Sequence, residues 1–252
     1  MLTEDMFLPI KQKYGPGATA RIEEMLDPGP GTRQERLQRG ARYVIPGVSS
    51  SPWRDLDEFP RIRALATRLE SLHEAIRAEI HAVVDAGDAI QPYSHYDLGE
   101  FKREQWSSLY LFQNGAPVEE TCRLCPTTAA FMRSELGEVL CPLQEMHFSI
   151  VGPGAHIKPH SDMGNFTLNL HFAIDIPEQC GIRVGTETRT WTEGKCLLFD
   201  DSFEHEVWNR GNGRRICLLM DVWNPALSLA EREALVALVM ALKREFGEDE
   251  PA

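Results

Sequence analysis

Three positions in this sequence have the residue types and spacing to hold one metal ion. In Pro159-His160-Ser161-Asp162, the histidine and the aspartate are two residues apart. On an extended chain their side chains point the same way, so one strand edge can present an imidazole and a carboxylate to a single cation. A third ligand must come from elsewhere, and His205 opens an alternating stretch 45 positions after His160. Two histidines and one carboxylate on one face of an octahedron, with three positions open, is the arrangement used by non-haem iron(II) oxygenases. Ten residues after His205, Arg215 heads the apolar run Ile216-Cys217-Leu218-Leu219-Met220. A guanidinium in such a strand suits a bidentate grip on a carboxylate, for example the distal end of 2-oxoglutarate. Asp200, Asp201, Glu204 and Glu206, which flank His205, read as solvated turn residues or as acceptors that orient the imidazole. An isolated His-x-Asp triplet is a weak signal, and it gains weight here from the distant histidine and the arginine. The same three ligands could hold zinc in a non-catalytic, regulatory or ligand-binding β-barrel, but Arg215 would then have no carboxylate to clamp.

Strands have to position these residues, and the sequence supplies them. Short alternating or β-branched runs occupy 106–113, 146–151, 167–174, 182–184, 196–199, 204–208 and 215–223. Asn114-Gly115, Pro153-Gly154, Gly194-Lys195 and Gly211-Asn212-Gly213 separate several of them, which predicts a sandwich or barrel of short strands. Helical periodicity appears at Ile62, Leu65, Leu69, Leu72, Ile76, Ile80 and Val83, with Gly87 as the stop signal. Ser228-x-x-Glu231 is a capping box that starts a helix running to about Phe246, and a shorter helix is predicted near 127–135. Residues 1–40 are polar and broken by Gly15-Pro16-Gly17 and Pro28-Gly29-Pro30-Gly31, so they read as an arm or lid carrying one short helix. Residues 41–252 form a single, mainly β domain with flanking helices.

Composition bounds the rest. At 252 residues with 26 Lys and Arg against 38 Asp and Glu, the net charge of −12 argues against nucleic acid and anionic membranes as partners. The longest nearly charge-free apolar run, Ala234–Leu242, is far short of the roughly 20 residues of a membrane span. The N-terminus lacks the basic and apolar regions of a secretion signal, so a cytoplasmic location is expected. The six cysteines are scattered, and Cys122-Arg-Leu-Cys125 stands without a second CxxC, so they read as ordinary thiols. Nothing in the pattern sets an oligomeric state.

The stretch from Thr188 through Cys196-Leu-Leu-Phe-Asp-Asp-Ser-Phe-Glu-His-Glu-Val-Trp-Asn209, followed by Asp221-Val-Trp-Asn-Pro225, resembles the aspartyl/asparaginyl β-hydroxylase family. The similarity continues upstream through His147–His160 and 106–115, and more faintly through Arg42-Tyr-Val-Ile-Pro-Gly-Val-Ser-Ser-Ser-Pro-Trp53. The resemblance implies a double-stranded β-helix (jelly-roll, cupin-like) core, Fe(II) as cofactor, and 2-oxoglutarate and O2 as cosubstrates. It makes His160 and His205 iron ligands and Arg215 the 2-oxoglutarate clamp, with Ser149 and His171 helping to hold the same cosubstrate. Animal peptidyl-aspartate hydroxylases of this family carry glycine where this chain has Asp162. A carboxylate there restores the full triad and favours hydroxylation over halogenation. Basic residues that grip the aspartate substrate in those enzymes align with His147, Thr167 and Asn169, which weakens the case for an acidic peptide. With Arg183, these three are expected to form a mixed polar pocket for an amino acid, a peptide side chain or a small polar metabolite. Lipid hydroxylases of the family carry apolar membrane segments that have no counterpart in this sequence.

Overall fold

The computed structural model describes residues 2–28, 36–48, 51–95 and 98–246. The Gly29-Pro30-Gly31 part of the expected N-terminal break lies outside these residues, as do Ser49 and Ser50 of the upstream similarity. Helices α1 (Leu2–Tyr14) and α2 (Ala20–Leu26) come first. Strand β1 (Trp53–Arg54) precedes α3 (Pro60–Ser71) and α4 (His73–Ala86). Short strands β2 (Gln91–Pro92), β3 (Ser94–His95) and β4 (Gly99–Glu100) lead to β5 (Trp106–Gln113) and β6 (Ala116–Pro117). Helices α5 (Glu119–Leu124) and α6 (Pro126–Phe131) follow. Then come β7 (Met146–Val151), β8 (His156–His160), β9 (Thr167–Asp175) and β10 (Cys180–Val184). The last strands are β11 (Glu187–Arg189), β12 (Cys196–Phe199), β13 (His205–Asn209) and β14 (Arg215–Trp223), before helix α7 (Leu229–Phe246).

All of these strands but β3 and β4, which pair with each other, build two antiparallel sheets. The larger runs β1-β12-β9-β14-β7-β5-β2, with β6 on β5, and the smaller runs β11-β10-β13-β8. The chain passes back and forth between the two sheets, which is the double-stranded β-helix or jelly-roll topology. Side-chain alternation divides the large sheet cleanly. Phe148, Leu170, Phe172, Leu218 and Met220 face α3, α4 and α6 in one apolar core. Between the sheets, Val151, Ala173, Phe199 and Cys217 meet Ile157, Ile182, Val184 and Val207 in a second core.

Local chemistry sets the element ends. Gly87 closes α4 in the left-handed conformation at φ 85°, where its N–H bonds the Val83 carbonyl. Asn114 and Gly115, both at positive φ, turn β5 into β6 in the two-residue hairpin that Asn-Gly favours. At α7, Ser228 N–H donates to Glu231 Oε2 at 2.8 Å while Glu231 N–H donates to Ser228 Oγ. Glu231 also receives Arg21 Nε at 2.6 Å, which ties α2 to α7. Phe7, Ile10, Ile22 and Met25 pack with Ala234, Leu235, Phe166 and Trp223 in a third core, so α1 and α2 are built onto α7.

The single long helix expected over 60–85 is two, broken at Leu72. The break brings His73 against the sheet, where its Nε2 meets the Ile174 carbonyl at 3.3 Å and its ring meets the Phe172 edge-on. Strand β8 was invisible to periodicity because Ile157 is its sole apolar side chain.

Candidate metal and cosubstrate site

His160 and His205 face each other as cross-strand partners of β8 and β13, with ring centroids 4.2 Å apart. Each is held through Nδ1, His160 by the Lys158 carbonyl at 2.7 Å and His205 by the Phe203 carbonyl at 2.9 Å. An Nδ1–H that donates to a carbonyl leaves Nε2 as the lone-pair donor, which is how proteins orient metal-binding imidazoles. Burial, reinforced by His205, pushes His160 down to about 3, so it is neutral as a ligand must be. Asp162 lies just beyond β8, with Oδ2 3.8 Å from His205 Nε2. Burial works against its charge, yet hydrogen bonding from His95 and the nearby imidazoles hold it below the usual carboxylate range. His95 donates from Nε2 to Asp162 Oδ1 at 3.3 Å and sets its ring edge-on to His160. Candidate ligand atoms of His95, His160 and Asp162 all lie within 4.8 Å of one another, and His205 adjoins them. The donor set therefore fits a divalent transition metal, with nitrogen and oxygen ligands on one side and a cavity on the other.

That cavity, about 280 Å³, is roofed by the small sheet and floored by the large one. Arg215 lies on its floor, 1% exposed. Its Nη1 donates to Ser149 Oγ at 3.2 Å and its Nη2 to His171 Nδ1 at 3.2 Å. Trp106 Nε1–H also donates to Ser149 Oγ, and Trp191 Nε1–H to His171 Nδ1. The guanidinium lies 4.2 Å from the Trp191 ring centroid, so an aromatic face supports it. Burial pushes Arg215 down, and burial with Arg215 beside it pushes His171 down. Arg215 Nε has no partner, and among the described residues no carboxylate pairs with this charge. An unpaired buried cation is costly, so the arrangement is complementary to a bound anion.

His147, Thr167 and Asn169 also line the cavity. Arg183 does not. Its neighbours Ile182 and Val184 point into the core, so alternation turns Arg183 to the outer face, where it pairs with Glu204 and Glu206. Those two acids are thus partners of Arg183, and the Phe203 carbonyl, rather than an acid, orients His205. Asp200 and Asp201 are not solvated turn residues but are 0% and 3% exposed. Burial pushes Asp200 up to about 7 against the bonds from Ser202.

Sequence reasoning missed His95, the two supporting tryptophans and an acidic end of the cavity formed by Glu145, Asp201 and Asp221. Burial, and after it the charge of Asp162, pushes all three carboxyls up. His95 sits in a two-residue strand within Gln91-Pro92-Tyr93-Ser94-His95, which carries no periodicity to flag it.

The profile of the family described as aspartyl/asparaginyl beta-hydroxylase matches residues 70–225. The chain belongs to this family. It is 35% identical to the aspartyl/asparaginyl beta-hydroxylase of Mus musculus over 78% of its own length and 26% of that protein. It is 31% identical to the ornithine lipid ester-linked acyl 2-hydroxylase of Rhizobium tropici, over 73% of this chain and 64% of that one. The chain thus spans about a quarter of the mammalian relative it matches. Among solved structures, a Trichoplax adhaerens prolyl hydroxylase bound to a hypoxia-inducible-factor peptide fragment superposes with TM-score 0.41 at 12% identity, covering 66% of this chain and 81% of that one. Among the described residues, no helix is long and apolar enough to cross a membrane.

Proposed function

We propose that the protein is an Fe(II)- and 2-oxoglutarate-dependent hydroxylase acting on an unactivated C–H of an amino acid, a peptide side chain or a small polar metabolite. The observation that carries this reading is Arg215, a buried guanidinium without a carboxylate partner among the described residues, on the floor of the cavity that His160, Asp162 and His205 also line. Two curated relatives are named hydroxylases, which supports the same reaction class. His160, Asp162 and His205 would hold the iron. Arg215, with Ser149 and His171, would hold the distal carboxylate of 2-oxoglutarate. When bound, iron, 2-oxoglutarate and O2 supply the oxidation: one oxygen atom enters the substrate C–H, the other enters succinate, and CO2 leaves.

The chain's own contribution is position and exclusion of water. The Lys158 and Phe203 carbonyls fix the two imidazoles, while Ser149, His171 and Trp191 fix the guanidinium. Asp162 would serve beside His160 and His205 as a third ligand to the iron, which favours hydroxylation over halogenation. No general base is required, and His160, lowered by burial, is suited to ligation rather than proton transfer.

The test is anaerobic reconstitution with Fe(II), calorimetric titration with 2-oxoglutarate, then admission of oxygen with succinate followed by mass spectrometry. Stoichiometric cosubstrate binding and succinate release are expected. Iron-loaded protein that neither binds 2-oxoglutarate nor forms succinate would refute the reading.

A further inference from the structure

The cavity has two ends of opposite character, and the strand register shows how they arise. Along β14 the inward positions run Arg215, Cys217, Leu219 and Asp221. Ser149 pairs with Cys217, and His147 and His171 both pair with Leu219. One step further, Asp221 pairs with Asn169 and donates its backbone N–H to the Glu145 carbonyl at 3.2 Å. Asp221 lies six positions along the strand from Arg215, about 20 Å of backbone at the usual rise. The cation and the acids therefore sit at opposite ends of one cavity floor.

Asp201 completes the acidic end from the turn before β13. Its backbone carbonyl accepts from Asp162 N–H at 2.9 Å, so this end adjoins the metal ligands. Glu145, Asp201 and Asp221 form no ion pair with any lysine or arginine among the described residues. The nearest basic group is His147 Nδ1, 3.7 Å from Glu145 Oε2.

Unmet polar atoms point independently to a ligand. Asn169 is 9% exposed, lines the cavity, and its Oδ1 accepts from nothing, although its Nδ2 donates to Asp201 Oδ2 at 3.3 Å. His147 is 5% exposed with both ring nitrogens unbonded, and Asp201 Oδ1 is likewise without a partner. Acceptors outnumber donors there, so the complementary ligand is rich in N–H. An aromatic wall completes the enclosure. Tyr93 stacks on Trp106 at 3.9 Å and lies 5.6 Å from the His147 ring, and Tyr93 and Trp106 both line the cavity. Carboxylates beside aromatic faces suit an ammonium or a guanidinium.

We propose that the acidic end, built from Glu145, Asp201 and Asp221 with the Asn169 carbonyl, recognises an organic cation, so that the substrate carries a protonated amine or guanidinium. This rests on the oxygenase reading for the fate of the bound molecule, but not for its binding. Arg215 at one end and the acids at the other sort the two ligands by charge: the dicarboxylate cosubstrate is repelled from the acidic end, and a cationic substrate from the guanidinium.

Matched probes differing by one charge test it, titrated calorimetrically into anaerobic Fe(II)- and 2-oxoglutarate-loaded protein and into metal-free protein. One pair is Nα-acetyl-lysine amide against Nα-acetyl-norleucine amide; the other is norleucine amide against Nα-acetyl-norleucine amide. At least one cationic member is expected to bind about tenfold or more tighter than its neutral partner, as charge-assisted bonds warrant. Which pair shows the preference identifies the nitrogen being read. Asp221→Asn and Glu145→Gln should each cut that preference about fivefold or more, with 2-oxoglutarate affinity and unfolding midpoint as folding controls. Three results would overturn the proposal: no preference in either pair, tighter binding of Nα-acetyl-aspartate amide than of the lysine probe, or Mg²⁺ or Ca²⁺ taking the acidic end and excluding the amines. A protein that takes the cationic probes but never 2-oxoglutarate would instead sink the oxygenase reading and leave the acidic end standing.

Discussion

The helix-facing and cavity-facing sides of β7, β9 and β14 are cut from the same three segments, residue by alternate residue, and they follow opposite rules. On the helix side, Phe148, Phe172, Leu218 and Met220 are 0% exposed and their needs are met by packing alone. On the cavity side, His147, Asn169 and Arg215 are almost as deeply buried, yet each keeps a polar atom without a partner. Buried polar groups are normally satisfied, so a row of unsatisfied ones on a single face marks where the fold is completed by ligands. The helix face holds the sheet together, and the cavity face draws on that stability to keep its polar groups apart and aimed.

Substitutions on the two faces should therefore fail in different ways. The largest effect is expected from His205→Ala, which should lower turnover by about a thousandfold or more by removing a metal ligand, while shifting the thermal unfolding midpoint little. Succinate release alongside a melting curve reads both, and full turnover in this variant would refute the ligand assignment. On the opposite face, Phe172→Ala should cost about 3–5 kcal/mol of stability through the cavity it leaves, with turnover per folded molecule retained. Urea unfolding measures the loss, and a cost below about 1 kcal/mol would contradict the packing described.

Arg215→Gln comes next. It should raise the 2-oxoglutarate concentration needed for half-maximal turnover by about 10- to 100-fold, the range for a lost charge-assisted contact, with a smaller change in maximal rate. An unchanged requirement would take the clamp role from Arg215.

The smallest effect separates a buried acid of the frame from those of the cavity. Asp200 is pushed up to about 7 by burial, whereas an unfolded aspartate titrates near 3.9. Between about pH 4 and pH 7 the folded chain keeps a proton that the unfolded chain has released, so stability falls as pH rises, by about 1 kcal/mol per pH unit. Asp200→Asn should remove that component of the slope in unfolding experiments at pH 5 and pH 7. An identical slope in both proteins would show that Asp200 does not titrate in this window.

Legibility tracked the length of the regular element that carried each residue. His160 and Asp162 could be read together because a two-residue spacing on extended chain has one geometric meaning. Arg215 stood out against the apolar run that follows it, whereas Ser149 and His171 were marked only by the family resemblance. Arg183 failed by the same rule, since its own alternates Ile182 and Val184 face inward and send it out. His95 and Asp201 sit on a two-residue strand and a turn, where no period exists to fix direction, and Trp106 and Trp191 announced only their bulk.

The sequence by itself determined the mainly β architecture, the alternation that sorts each strand into a packing side and a polar side, and the spacing that pairs His160 with Asp162. Those properties depend on neighbours one to four residues away, which the chain states directly. Only the tertiary structure decided what the polar sides meet. Cross-strand register joined Glu145, Asn169 and Asp221 into one layer, and sheet-on-sheet stacking brought His160 and His205 to the cavity that Arg215 also lines. The fold also buried Asp201 beside them, 39 positions from the aspartate it supports. Register and stacking arise from contacts between residues distant in the chain, so no local pattern could carry them.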